Sequence, residues 1–238
     1  MDIFINSQSL KQPAENITLY LDNLIDNTKG CYKIALMEVS FCVGYYNISE
    51  KIGNNAFQYF NGNTTKYMKI VDGLYNVDLY FSEIKRKISA DKDKPENINF
   101  ETIDQTGKII LSVSDGYAFH IIGSNQDLLG FSKPTEIKGR IESDRSVNFS
   151  KFKNLFINLE QINRERNYLN NHYSNVLKVI PVTANNFGES VVHRFEVPTY
   201  HGLINTHIHQ LHLSITNEDN QLVNFNDQPI TYHLHISC

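Results

Sequence analysis

The chain has 238 residues, 41% of them hydrophobic and 20% charged, with 13 Tyr and 14 Phe but no Trp. That is enough apolar surface for one well-buried core, while 6 Pro and 12 Gly are too few for a disordered or fibrous chain. A net charge of −4 supplies no basic field for phosphates and argues against a role centred on nucleic acid.

The first residues, Met1 to Asn6, lack the basic flank and apolar core of a secretory signal. No later run approaches the roughly 18 apolar residues that span a bilayer. Three cysteines, Cys31, Cys42 and Cys238, are odd in number and far apart, which fits buried or incidental thiols in a reducing compartment better than a disulfide framework. Asn-x-Ser/Thr triplets at Asn16, Asn47, Asn63 and Asn148 are then chance matches in an Asn-rich chain.

Period-two alternation predicts strands around Ile3 and Ile5, from Ile17 to Leu21, and from Ile34 to Phe41. Beyond Gly73, Val77, Phe81, Ile84 and Ile88 recur at helical spacing with charged residues between them, which predicts an amphipathic helix. The charged segment Asp91 to Glu96 reads as an exposed loop. Strands are expected at Ile98 to Thr102 and Lys108 to Val113, joined by the turn Asp104-Gln105-Thr106-Gly107. Ser124 is placed to cap a short helix over residues 125–129, with Gly130 as its stop. Pro134 to Ser150 is polar and reads as a long loop or arm. Strand character returns at Leu155 to Leu159, Val176 to Val182, Val191 to Val197, Thr206 to Thr216 and Ile230 to Ile236.

About eight antiparallel strands with two short helices in the connections favour a jelly roll over an immunoglobulin-like sandwich. The order of several short segments carries a further resemblance. Ile3-Phe4-Ile5, Ile34 to Ser40, Tyr46-Asn47-Ile48, Gly73-x-Tyr75, Leu129-Gly130-Phe131 and Arg194-Phe195-Glu196-Val197-Pro198-Thr199-Tyr200 stand in one collinear series. In that series the chain resembles the penton, or minor capsid, proteins of the Polinton/Maverick–virophage type.

The resemblance implies an all-β, single jelly-roll β-sandwich of two antiparallel sheets covering residues 1–238, with no separate insertion domain. It also implies a homopentameric capsid vertex in the virion, set among the double jelly-roll, hexon-like capsomers of a major capsid protein, with neither enzyme activity nor cofactor. Gly73, Tyr75, Leu129, Gly130, Phe131, Phe195, Pro198 and Tyr200 are then turn and core residues, Gly73 through a turn with positive φ. Arg194, Arg164 and Arg166 are candidates for contacts with a neighbouring subunit.

Two other readings use the same residues. Nine histidines, with His207, His209 and His212 in one predicted strand and His233 and His235 in another, raise a cupin-type metal site. Alternation puts His207 and His209 on the inner face and His233 and His235 outward, so the pairs do not converge unless a bulge flips one of them. No Gly-x-Ser-x-Gly elbow and no phosphate loop occurs. The remaining alternative is a non-catalytic ligand- or glycan-binding jelly roll, for which Tyr, Asp and Asn are available but a Trp platform is not.

Overall fold

Runs of β-branched and aromatic residues, broken by Asn, Asp and Gly, leave most of this chain able to bury side chains only on a pleated sheet. A computed structural model describes residues 1–90, 97–133, 135–150, 152–163, 165–167, 172–182 and 186–238. Its elements begin with β1 (Asp2–Asn6), α1 (Ser7–Leu10), β2 (Asn16–Asp26), β3 (Lys33–Cys42), β4 (Ala56–Phe60), β5 (Thr65–Lys69) and α2 (Val77–Ala90). They continue with β6 (Ile98–Ile103), β7 (Lys108–Val113), β8 (Ala118–Ile121), α3 (Asn125–Leu129), β9 (Thr135–Ile137), β10 (Gly139–Glu142) and β11 (Asn154–Leu159). The last are β12 (Glu165–Asn167), β13 (His172–Ser174), β14 (Val176–Pro181), β15 (Ser190–Arg194), β16 (His201–Gly202), β17 (His207–Thr216) and β18 (Ile230–Ser237). The fold is all-β with antiparallel sheets, as a jelly-roll sandwich requires.

These residues form two compact units, Met1–Tyr45 with Phe152–Cys238, and Tyr46–Lys151. The second unit has a core of its own. Ile48, Phe57, Tyr59, Phe81, Ile84, Leu111 and Phe119 belong to a hydrophobic cluster made wholly of residues from the second unit.

The first unit has two principal sheets, one ordered β1-β18-β3-β15 with β16 also on β3, the other β14-β11-β17-β2. β18 lies between β1 and β3, with Leu234 opposite Ile3 on one side and Leu36 on the other. Ile230, Tyr232, Leu234 and Ile236 are buried while the residues between them are not. This is the alternation of a strand with one face in the core.

In the second unit, β6 and β7 form the expected hairpin, and the N–H of Gly107 closes its turn on the Ile103 carbonyl at 2.8 Å. Helix α2 buries Tyr80, Phe81, Ile84 and Ile88, a stripe worth roughly 1.5–3 kcal/mol for each large apolar side chain. The expected loop at Asp91 to Glu96 lies outside the described residues. The expected arm from Pro134 to Ser150 is corrected: β9 pairs with β8 and β10 with β7. Among the described side chains of these strands, only Ile137 and Ile141 face apolar surroundings, so backbone pairing onto existing strands, rather than a hydrophobic pattern, makes them. The hairpin of β4 and β5 was likewise unanticipated.

Two buried tyrosines predict opposite outcomes for one substitution. Tyr80 donates to Asn125 Oδ1 at 3.0 Å, and Asn125 Nδ2 donates in turn to the Ala56 carbonyl. Tyr232 is fully buried and its hydroxyl has no hydrogen-bond partner among the described residues; burial pushes both phenols above their ordinary range. Tyr80→Phe is expected to cost about 1–3 kcal/mol because it strands a buried amide oxygen, whereas Tyr232→Phe is expected to be neutral or stabilising. Denaturant melts of the two variants check this, and a large loss at Tyr232 would contradict it.

Candidate assembly surface

The segments quoted separately from the sequence become local structures in one unit or the other. In the second unit, buried Asn47 donates from Nδ2 to the carbonyls of Tyr75 and Phe149, both at 2.7 Å, while its Oδ1 accepts from the Tyr75 N–H at 2.8 Å. Ile48 and Gly73 form an antiparallel bridge beside it. Tyr46-Asn47-Ile48 and Gly73-x-Tyr75 are therefore one hydrogen-bonded corner. The expected positive φ at Gly73 is corrected, since Gly73 is not among the glycines with positive φ. Close approach is the constraint: an added Cβ would meet the Tyr75 ring at 3.0 Å.

At Leu129-Gly130-Phe131, Leu129 and Phe131 are buried, and Gly130 ends α3 at φ +76, where the Arg145 carbonyl oxygen lies 2.1 Å from any added Cβ. No other residue fits there without backbone movement. Ser124 does not cap the helix as expected. Its φ and ψ are helical and its hydroxyl donates to the Ile52 carbonyl at 3.2 Å.

In the first unit the expected strand from Val191 to Val197 ends at Arg194. One more hydrogen bond, from the Phe195 N–H to the Met37 carbonyl at 2.9 Å, precedes the corner, and pairing to β3 resumes at His201. Phe195 is half-buried under Lys178, whose Nζ lies 4.8 Å from the ring centre, rather than in the core. Pro198 is half-buried and Val197 is 84% exposed. Tyr200 reaches across the sheet, its hydroxyl 2.8 Å from His235 Nδ1.

The outward face of this sheet holds a row that no single segment reveals. Strand registers put Phe4 opposite His233, His233 opposite Glu38, and Glu38 opposite Arg194. Phe4, 72% exposed, stacks on the His233 ring with centroids 4.1 Å apart. Asp2 Oδ1 lies 2.9 Å from His233 Nε2, and Arg194 Nε is 2.5 Å from Glu38 Oε2. The hydrogen bond from His233 holds the Asp2 carboxyl below its ordinary range. Of the arginines named from sequence, only Arg194 is described as a side chain. Arg164 lies outside the described residues, and Arg166 is placed by its backbone alone, opposite Tyr173.

Beside this face, the outer strands β1 and β2 border a groove of about 820 Å³ lined by Met1, Phe4, Tyr20, Asp22, Leu24 and Asp26 among others. Tyr20 is 70% and Leu24 56% exposed. Both strands end their sheets, and on β2 the Gln12 side chain covers the outer backbone groups of Thr18, its Nε2 donating to the Thr18 carbonyl at 3.1 Å and its Oε1 accepting from the Thr18 N–H at 2.6 Å. The opposite edge, at β14 and β15, presents Lys178 and Arg194 with exposed Val179 and Val192.

The histidine geometry corrects one expectation. His233 and His235 alternate with the buried residues of β18 and face outward as expected. His207 and His209 are exposed, not inward, because the register of β17 against β2 shifts between Ile208 and Gln210 and turns the start of the strand over. Among the described residues, no cluster of three or more His, Cys, Asp or Glu side chains could hold a metal. No helix among them is long and apolar enough to cross a membrane.

His193, on β15, has a buried Nε2 without a hydrogen-bond partner among the described residues, and burial holds its pKa below the usual 6.5. The neutral ring suits the fold, so its contribution is fully present above about pH 6.5 and is lost as pH falls through the depressed folded value. Thermal melts from pH 7.5 to 5 are expected to show a shallower acid decline for His193→Leu than for wild type. Parallel curves would contradict this.

No protein-family model matches the chain, and no curated protein does. Among solved structures, its fold is similar to that of the mavirus penton protein, at 14% sequence identity and a TM-score of 0.51, over 100% of this chain and 99% of the other. A chain of the Sputnik virophage, seen by cryo-EM, is similar at 10% identity and a TM-score of 0.47, over 99% of this chain and 97% of the other.

Proposed function

We propose that this chain is a structural capsid protein, the pentameric vertex capsomer of an icosahedral particle, with no enzyme activity of its own. The observation that supports this reading is the likeness of fold to the mavirus penton protein from end to end of both chains. In the proposed particle the homopentamer sits among double jelly-roll capsomers of a major capsid protein, and the chain is located in the virion.

The ring contact we assign is heterologous. The acidic, aromatic edge of β1 and β2, with Asp2, Asp22, Asp26, Phe4 and Tyr20, meets the β14 and β15 edge of the next copy, with Lys178, Arg194, Val179 and Val192. Head-to-tail contacts of this kind close into rings when the rotation allows. Opposite charges fix the register, while the aromatic and aliphatic side chains provide most of the apolar burial.

A second reading, glycan binding, is favoured by the same groove, where Tyr20 and Tyr32 stand near Asp22, Asn23 and Asp26. One pair of variants separates the two. The Arg194–Glu38 pair is exposed and contributes at most about 1 kcal/mol to folding, so Arg194→Ala is expected to melt like wild type yet sediment as smaller species. Tyr20→Ser is expected to do the same. Variants that assemble normally would overturn the assigned contact, and loss of glycan-array binding in Tyr20→Ser would favour the second reading.

A further inference from the structure

Two cysteines that stand 207 positions apart in sequence meet at one end of the first unit: Cys31 Sγ lies 2.6 Å from Cys238 Sγ. All three cysteines are free thiols, and the fold brings this pair together. Each partner is held by other contacts. The turn that carries Cys31 is built on Asn27, which is buried; its Nδ2 donates to the Leu203 carbonyl at 2.8 Å and its Oδ1 accepts the Tyr32 N–H at 3.0 Å. The Tyr32 carbonyl in turn accepts from the Leu203 N–H at 3.0 Å.

Cys238 follows β18 directly, whose last paired residue, Ser237, stands opposite Lys33. Ile236 is held from the other side, since its N–H donates to the Met1 carbonyl and its own carbonyl accepts from the Met1 nitrogen. The two sulfurs are thus brought together by backbone pairing rather than by chance contact of flexible side chains. Cys238 is exposed and Cys31 half-buried, so a small thiol reagent has access. Cys42, near the end of β3, is not part of this pair.

We propose that Cys31 and Cys238 are a redox-switchable cross-link that fastens β18 to the start of β3. The inference concerns the chain itself and does not depend on the capsid reading. The reaction requires a disulfide oxidant of the glutathione class. The thiolate of exposed Cys238 attacks one sulfur of the oxidant, forming a mixed disulfide and releasing one thiol. The thiolate of Cys31 then attacks the Cys238 sulfur, forming the internal bond and releasing the second thiol. In sum, two protein thiols are oxidised to one disulfide, the oxidant is reduced to two thiols, and both protons leave with them. A neighbouring thiol hydrogen-bonded to Cys238 keeps its proton on more firmly, so exchange quickens as pH rises.

The bond would close a loop of about two hundred residues, the case in which a cross-link restricts the unfolded chain most. In a reducing compartment the thiols persist, and in an oxidising one the strand is locked.

The test uses the full chain, purified reduced and then incubated with oxidised glutathione at pH 8. Thiols titrated under denaturing conditions are expected to fall from three to one, and the melting temperature to rise by about 5–10 °C, reversibly with dithiothreitol. Cys31→Ser and Cys238→Ser are each expected to abolish the rise, while Cys42→Ser retains it. Three titratable thiols after oxidation would overturn the proposal. So would a bond that survives in Cys31→Ser, or covalent dimers on a non-reducing gel in place of the internal link.

Discussion

The first unit depends on residues 230–237 lying between β1 and β3. Until that strand arrives, the sheet has a gap where Tyr232, Leu234 and Ile236 complete the buried face, and β1 has no partner in the sheet. The pairing is highly non-local, joining Ile3 to Leu234 and Ile34 to Ile236, so loop-closure entropy must be met before the contacts stabilise anything. Register is strict for the same reason. A slip of one residue would bury His233 and His235 and expose the tyrosine and leucine.

That register also creates the surface. With the apolar set turned inward, His233 faces outward between Phe4 and Glu38, and Arg194 follows on the next strand. The result is a row of aromatic, imidazole, carboxylate and guanidinium groups across four strands. None of these residues is needed to fill the core. In the proposed ring, exposed Phe4 and Tyr20 at these sheet edges are the side chains that the next copy would cover.

Much of this was legible in the sequence because it depends on period. The strands at Ile34 and Ile230, the helix from Val77 and the turn at Asp104 to Gly107 are written in local alternation and turn chemistry, and the structure has them. What was not legible depends on pairing. The strands β9 and β10 have two useful apolar residues between them, and a bulge at Ile208 turned over the faces assigned to His207 and His209. The separate core of Tyr46–Lys151 was hidden for a related reason, since no Pro- or Gly-rich linker marks its boundaries. Arg194 was found from sequence as part of a segment, but its place in a row with Phe4 needs three registers known together. The meeting of Cys31 with Cys238 needs β18 in place.

The proposed assembly is a closed fivefold ring built from one chain. Negative-stain class averages of the purified protein, taken over a range of concentrations, test it most directly. Rings of five copies of the 27.4 kDa chain are the expected result. Threefold particles at high concentration, in place of fivefold rings, would contradict it.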